Sequence, residues 1–307
     1  MRNYINKAEQ DLKNILANEK TQYRGEIYHY TSANGLKGII ESKKLWFTNA
    51  KFLNDYSENN YIFTLLPKSP DTYNEAIIDE IFFKDIQDIT DSYRTGIFYQ
   101  QGNNQLFADH VYVASFSKSE DNLEMWNYYT KDINSIGYNI GFTSCPFQVN
   151  SNVLKFIYGE VIYDMNTQQE LVKKLVLKYD SIYRRFHEYI KNNKKSRIYF
   201  FNSFVRMLEL YNIFFKHEAY KNEQEYRCAM YNITNYAGLL PRSRNINGLL
   251  VPYIEIPYQF DQITSIRISP ATENELLKEG VQFLLFSATN GHQESIKVWS
   301  SNIPKRY

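Results

Sequence analysis

Hydrophobic positions change period repeatedly along the chain, and each change marks an element. Tyr4, Ile5, Ala8, Leu12, Ile15 and Leu16 recur at helical spacing and predict a helix over 4–20. EIYHYT (26–31) reads as a short strand. It runs into Ser32, whose hydroxyl suits the start of a helix through Leu36, Ile39 and Ile40. LWFT (45–48) predicts a second strand; 53–66 and 73–90 carry mixed helical signals, and the stretch to about 110 is polar and weakly patterned. VYVASFS (111–117) alternates as a strand, and NLEMWNYYT (122–130) reads as a short helix capped by Asp121 or Asn122.

YNIGF (138–142) and FIYGEVIYD (156–164) are predicted strands. Residues 166–217 contain no proline or glycine and keep helical spacing through Leu171, Leu175, Ile182, Phe186, Phe204, Leu208 and Phe215, predicting a helical pair. Strand patterns return at 224–231, 249–256 and 263–269, followed by a helix at 272–280 and a strand at 295–301. Strands with helices clustered in blocks predict an α+β domain, 1–307, with a mixed or antiparallel sheet and a helical insertion at 166–217.

Composition changes this picture little. The 307 residues carry 35 Lys and Arg against 34 Asp and Glu, so no global charge draws the protein to nucleic acid or membrane. Mean hydropathy is −0.51, within the globular range. The first residues lack the apolar stretch of a signal peptide, no run of about 20 apolar residues occurs, and there are two cysteines. A soluble cytoplasmic protein without membrane partners is the expectation. Charge is uneven, however: 170–227 holds 13 Lys or Arg against 7 Asp or Glu, with KNNKKSR (191–197) as a candidate phosphate-facing edge. Aromatics make up 16% of the chain; a compositional bias and a set of stacking platforms both account for that.

Candidate chemistry is narrowed by absence. No dinucleotide glycine fingerprint, phosphate loop, nucleophile elbow or paired-histidine metal motif occurs, and no metal-ligand spacing is apparent. Four polar and aromatic patches remain: HYTS (29–32), LNDYSE (53–58), MWNYY (125–129) and KNEQEYR (221–227). In the last, Glu223 and Glu225 project from one face if the segment is extended, with Arg227 on the same face. A carboxylate there can stabilise a cationic sugar transition state; a salt-bridged edge strand is the alternative. His29 and Tyr30 end a strand, where a histidine can bond ribose hydroxyls and a backbone amide a carboxamide. Trp126, Tyr128 and Tyr129 offer ring faces for nicotinamide, or simply pack a core.

The ordered set HYTS, KKLWFTN, LNDYSE, SFS, MWNYY, GYNIGF, EVIYD, FKHEAY, EQEYR, IRISP and IKVWSSNIPKR resembles the bacterial family known as domain of unknown function 2971, from about residue 26 onward. The ending departs slightly, reading IPKR. More distantly, the same residues resemble the His-Tyr-Glu pattern of ADP-ribosyltransferase folds, which include toxins and phage-defence effectors. That resemblance implies a split sheet with NAD as substrate. It implies that His29 holds the ribose, with Tyr30 and Thr31 beside it, and that Tyr128 or Tyr129 stacks on nicotinamide near Trp126. Glu225, or else Glu223, is then the catalytic carboxylate, with an arginine such as Arg227 on the phosphates. The acceptor of ADP-ribose is expected to be single-stranded nucleic acid or protein. Two alternatives remain: a non-catalytic nucleotide or nucleic-acid sensor, and a metal-dependent nuclease using His29, Glu58 and Glu225.

Overall fold

A computed structural model describes residues 1–20, 23–53, 61–72, 78–94, 111–129, 136–143, 147, 155–231, 240–246, 248–270, 275–291 and 296–304. In chain order the helices are α1 (Arg2–Glu19), α2 (Ala33–Ser42), α3 (Glu80–Arg94), α4 (Leu123–Tyr129), α5 (Met165–Asn192), α6 (Lys194–Asn212) and α7 (Glu275–Ala288). The strands are β1 (Ile27–Ser32), β2 (Lys44–Asn49), β3 (Tyr112–Ser117), β4 (Gly137–Phe142), β5 (Lys155–Glu160), β6 (Glu225–Tyr231), β7 (Arg242–Ile246), β8 (Leu249–Pro257), β9 (Ile263–Ile268) and β10 (Lys297–Ser300). The fold is α+β with a mixed open sheet, as the pattern predicts. Two compact units emerge: residues 1–21, 50–110 and 161–218 form one, and 22–49, 111–160 and 219–307 the other.

The first unit is helical and larger than the insertion read from the sequence, because α1 and α3 join α5 and α6. Asp164 caps α5 by accepting from the Thr167 amide, and Asn193 caps α6 by accepting from the Ser196 amide, so the long helical run breaks at Asn193. Helix α1 buries Ile5, Ala8, Leu12 and Leu16. The Tyr211 hydroxyl donates to the Leu12 carbonyl at 2.8 Å, and Arg206 pairs with Glu9. No helix among the described residues is long and apolar enough to cross a membrane.

The second unit is the sheet, with strand order β10-β9-β4-β1-β3-β2-β8-β7; β6 pairs with β3 and carries β5 on its other side. All pairs are antiparallel except β9 and β10. Strand β3 is the branch point. One edge pairs with β6 along its whole length, from Tyr112–Met230 to Ser117–Glu225. The other edge is shared: β1 touches it at Tyr28–Ser117 and β2 at Thr48–Val113 and Asn49–Tyr112. Between those contacts the sheet is split.

Alternation gives the sheet two unlike faces. Ile27, Phe47, Phe116, Ile140, Phe142, Tyr226, Met230, Ile254 and Ile266 form an apolar face that packs with Leu36 and Ile40 of α2 and Val281 of α7. Ser32 caps α2 as expected, accepting from the Gly35 amide at 3.2 Å. The opposite face is polar yet buried: Ser117, Asn139, Glu225, Arg227, Ser265 and Arg267 are each 9% exposed or less. A buried polar face requires internal partners, and those partners define the candidate site.

Candidate functional site

Glu225 opens β6. The residue before it, Gln224, has φ +47°, a left-handed conformation that turns the 3-10 segment Glu218–Glu223 sharply into the strand. The corner is bonded on both sides: the Lys118 amide donates to the Gln224 carbonyl at 2.9 Å, and the Ser117 hydroxyl to the Glu223 carbonyl at 2.7 Å. Glu223 therefore sits on the helical turn, and the one-face arrangement expected for an extended Glu-x-Glu segment is not formed.

Arg227 grips Glu225 in a bidentate pair, Nε to Oε1 and Nη2 to Oε2, both at 2.8 Å. The two side chains are 3% and 8% exposed. Arg227 lies opposite Gly159 of β5, which leaves space on that face for the guanidinium. This is the Glu–Arg pair foreseen as an alternative, but on an internal strand between β3 and β5 rather than at an edge. In such a buried pair, removing one partner typically costs about 3–5 kcal/mol, because the other charge is stranded. The pair thus fixes a carboxylate in one orientation beside Ser117 and, across β3, Tyr28.

Tyr30, one turn of the pleat beyond Tyr28, shares this face. Its hydroxyl donates to the Ser119 carbonyl at 2.9 Å and accepts from the Asn122 amide at 3.0 Å, anchoring α4 over the sheet. Loss of hydration drives its phenol pKa far upward, so it stays a neutral donor. The Trp126 ring meets Tyr30 edge-on at 4.7 Å and is 1% exposed. Both rings are consumed by packing, and Tyr128 of the same helix is 48% exposed. Tyr129 ends α4, and its side chain lies outside the described residues. Thr31 is buried beside Gly35 of α2.

His29 points the other way. Alternation sets it on the apolar face, where its ring meets Phe116 at 5.6 Å. Its Nδ1 donates to the Ser115 carbonyl at 3.1 Å, a β3 group exposed by the split. Desolvation, and secondarily Arg244, holds its pKa below the usual imidazole value. Arg244 itself reaches Thr48 Oγ1 at 3.0 Å on the far side of the split. The structure thus gathers Tyr30, Trp126, Glu225 and Arg227 on one face and places His29 in the seam behind them.

One cluster escaped sequence reasoning. Asp121 accepts from Trp126 Nε1 at 2.7 Å, from Arg267 at 3.3 Å and from Ser301 Oγ at 2.7 Å, and Arg267 also pairs with Glu120. Asp121 is thus committed elsewhere, and Asn122 is the α4 cap, accepting from the Glu124 and Met125 amides. In the sequence this hub is signalled by the SFS–MWNYY, IRISP and IKVWSSNIPKR segments, which hold its members. Glu58 lies outside the described residues, and among those described no three His, Cys, Asp or Glu side chains gather as metal ligands.

The comparisons with known proteins add one finding. Residues 125–228, from α4 to the Glu225–Arg227 strand, match the family model DUF2971, described as a protein of unknown function. No curated protein and no solved structure matches the chain.

Proposed function

We propose that this chain, matched over residues 125–228 to the DUF2971 family, is an NAD-consuming enzyme of the ADP-ribosyltransferase type. The observation that carries the reading is Glu225, a buried carboxylate fixed by Arg227 at the start of β6, which flanks β3, the strand whose opposite edge is split. Cleaving the nicotinamide–ribose bond generates a cationic sugar, and a preorganised anion beside it lowers that barrier without reorganising. Glu225, bonded to the ribose 2′-hydroxyl, supplies the anion. Arg227 keeps its orientation. His29 bonds the ribose from the seam, and Tyr128 stacks on the nicotinamide ring. His29 and Glu225 lie on opposite faces by alternation, so one ribose meets both only through the split, where among the described residues no strand pairs with that stretch of β3. An acceptor nucleophile, nucleic acid or protein, then takes the sugar carbon. On this reading the protein is a toxin or antiviral effector.

The test is nicotinamide release from NAD, followed by chromatography. Glu225→Gln keeps a hydrogen-bonding partner for Arg227 and is expected to lower release about 10²–10³-fold. Unchanged release in a folded Glu225→Gln protein overturns the assignment. A second reading, nucleotide sensing without turnover, draws on the fact that both Glu225 oxygens are already engaged by Arg227. It predicts calorimetric NAD binding with no nicotinamide release by the unaltered protein.

A further inference from the structure

In the helical unit, α1 and α5 enclose a surface groove of about 600 Å³. Tyr4, Lys7 and Ala8 occupy one stripe of α1 at spacings of three and four. Lys178, Ser181, Ile182 and Arg185 repeat that spacing on α5. Ala8 and Ile182 form a buried apolar floor, while Lys7, Ser181 and Arg184 are exposed at the rim. The groove is therefore walled by four cations and one aromatic ring.

Two of the cations are neutralised locally. Lys178 pairs with Asp11 at 2.7 Å, which holds the Asp11 carboxyl below its usual range, and Arg184 pairs with Asp180 at 2.7 Å. Lys7 and Arg185 leave a surplus of two positive charges facing the opening. The Arg185 guanidinium lies 4.4 Å from the Tyr4 ring centroid, and the ring remains 43% exposed. Phe186 has φ −118° and ψ 20°, a break in the helix immediately after Arg185, and its ring meets Tyr4 edge-on at 5.3 Å. The edge contact braces the Tyr4–Arg185 pair, which stays partly open to the groove.

We infer that this groove binds a nucleotide unit, its phosphate between Lys7 and Arg185 and its base on the Tyr4–Arg185 surface. Unpaired bases stack on aromatic rings and guanidinium planes, whereas duplex bases are occupied by one another. The ligand is therefore a single strand or a free nucleotide. The site stands on its own geometry; its role as the seat of a nucleic-acid acceptor rests on the function proposed above.

The experiment is fluorescence anisotropy of the full chain, without NAD, against a labelled single-stranded RNA of about 12 nucleotides across a range of NaCl. Lys7→Gln with Arg185→Gln is expected to flatten the slope of log K against log salt by about 0.7, the loss of the one phosphate contact they share. Tyr4→Ala is expected to weaken binding about tenfold, the loss of one stacked base. Ser181→Glu, which removes no contact, is expected to weaken it by repulsion. AMP binding with the same variant losses, in the absence of RNA binding, names a free nucleotide as the ligand. The inference is overturned if the variants bind like the parent, if neither RNA nor AMP binds at low salt, or if tripolyphosphate displaces RNA as well as RNA itself. Because NAD is absent, these outcomes are independent of nicotinamide release, and either reading can fail alone.

Discussion

His29 Nδ1 donates to the Ser115 carbonyl, and the ring packs against Phe116 with Arg244 as the charged neighbour acting on it. The folded protein resists protonating this imidazole, whereas the unfolded chain takes up the proton near the ordinary imidazole value of about 6.5. Stability contributed by neutral His29 is therefore complete above about pH 6.5 and falls as pH drops below it. His29→Gln preserves a donor for Ser115 and removes the titration. The melting-temperature advantage of the parent over His29→Gln is expected to shrink between pH 7.5 and 5.5; a constant advantage contradicts the assignment. Some of this residue-level detail was legible: the Glu225–Arg227 spacing announced a pair, and Ser32 announced a cap. Asp121 and Asn122 were indistinguishable as caps, because Asp121 is claimed by Arg267 and Ser301, 146 and 180 positions away.

At the scale of elements, the Gln224 corner decides where Glu225 points. A non-glycine residue at φ +47° carries about 1–2 kcal/mol of steric cost, and a β-branched side chain carries more. Gln224→Val is expected to lower stability by about that amount, and Gln224→Asn to be tolerated, since Asn visits this region readily; chemical denaturation measures both. The corner was invisible in the sequence, because glutamine does not advertise a left-handed backbone. Strands with alternating apolar residues, such as β1, β3 and β9, were legible. Strand β7 was missed because Arg242–Ile246 is a largely exposed polar strand with no apolar stripe. Helix α7 runs to Ala288 rather than ending at 280, since Gly280 does not break it.

Across the whole molecule, the local surplus of +6 in residues 170–227 does not survive folding intact. Glu9, Asp11 and Asp85, all from outside that stretch, take up Arg206, Lys178 and Arg197. Charge counted along a sequence ignores which segments meet. The tryptophans Trp46, Trp126 and Trp299 all fall in the sheet unit, whereas α1, α3, α5 and α6 fall in the helical one. Leu12, fully buried, anchors α1 in the helical unit, and Leu12→Ala is expected to cost about 2–5 kcal/mol there. Ellipticity at 222 nm should then be lost at lower temperature than tryptophan emission changes; coincident, equally shifted transitions contradict that division.

The branched sheet also has a history in time. On the ribosome, Ser117 emerges 108 residues before Glu225, its partner in β6. At about 5–20 residues per second, that interval lasts about 5–20 s. Throughout it one whole edge of β3 lacks its final neighbour, and the carboxylate assigned to chemistry has yet to be translated. On the proposed reading a nascent chain is inert as well as incomplete, and chemistry at Glu225 begins only after β3 has gained β6 along its open edge.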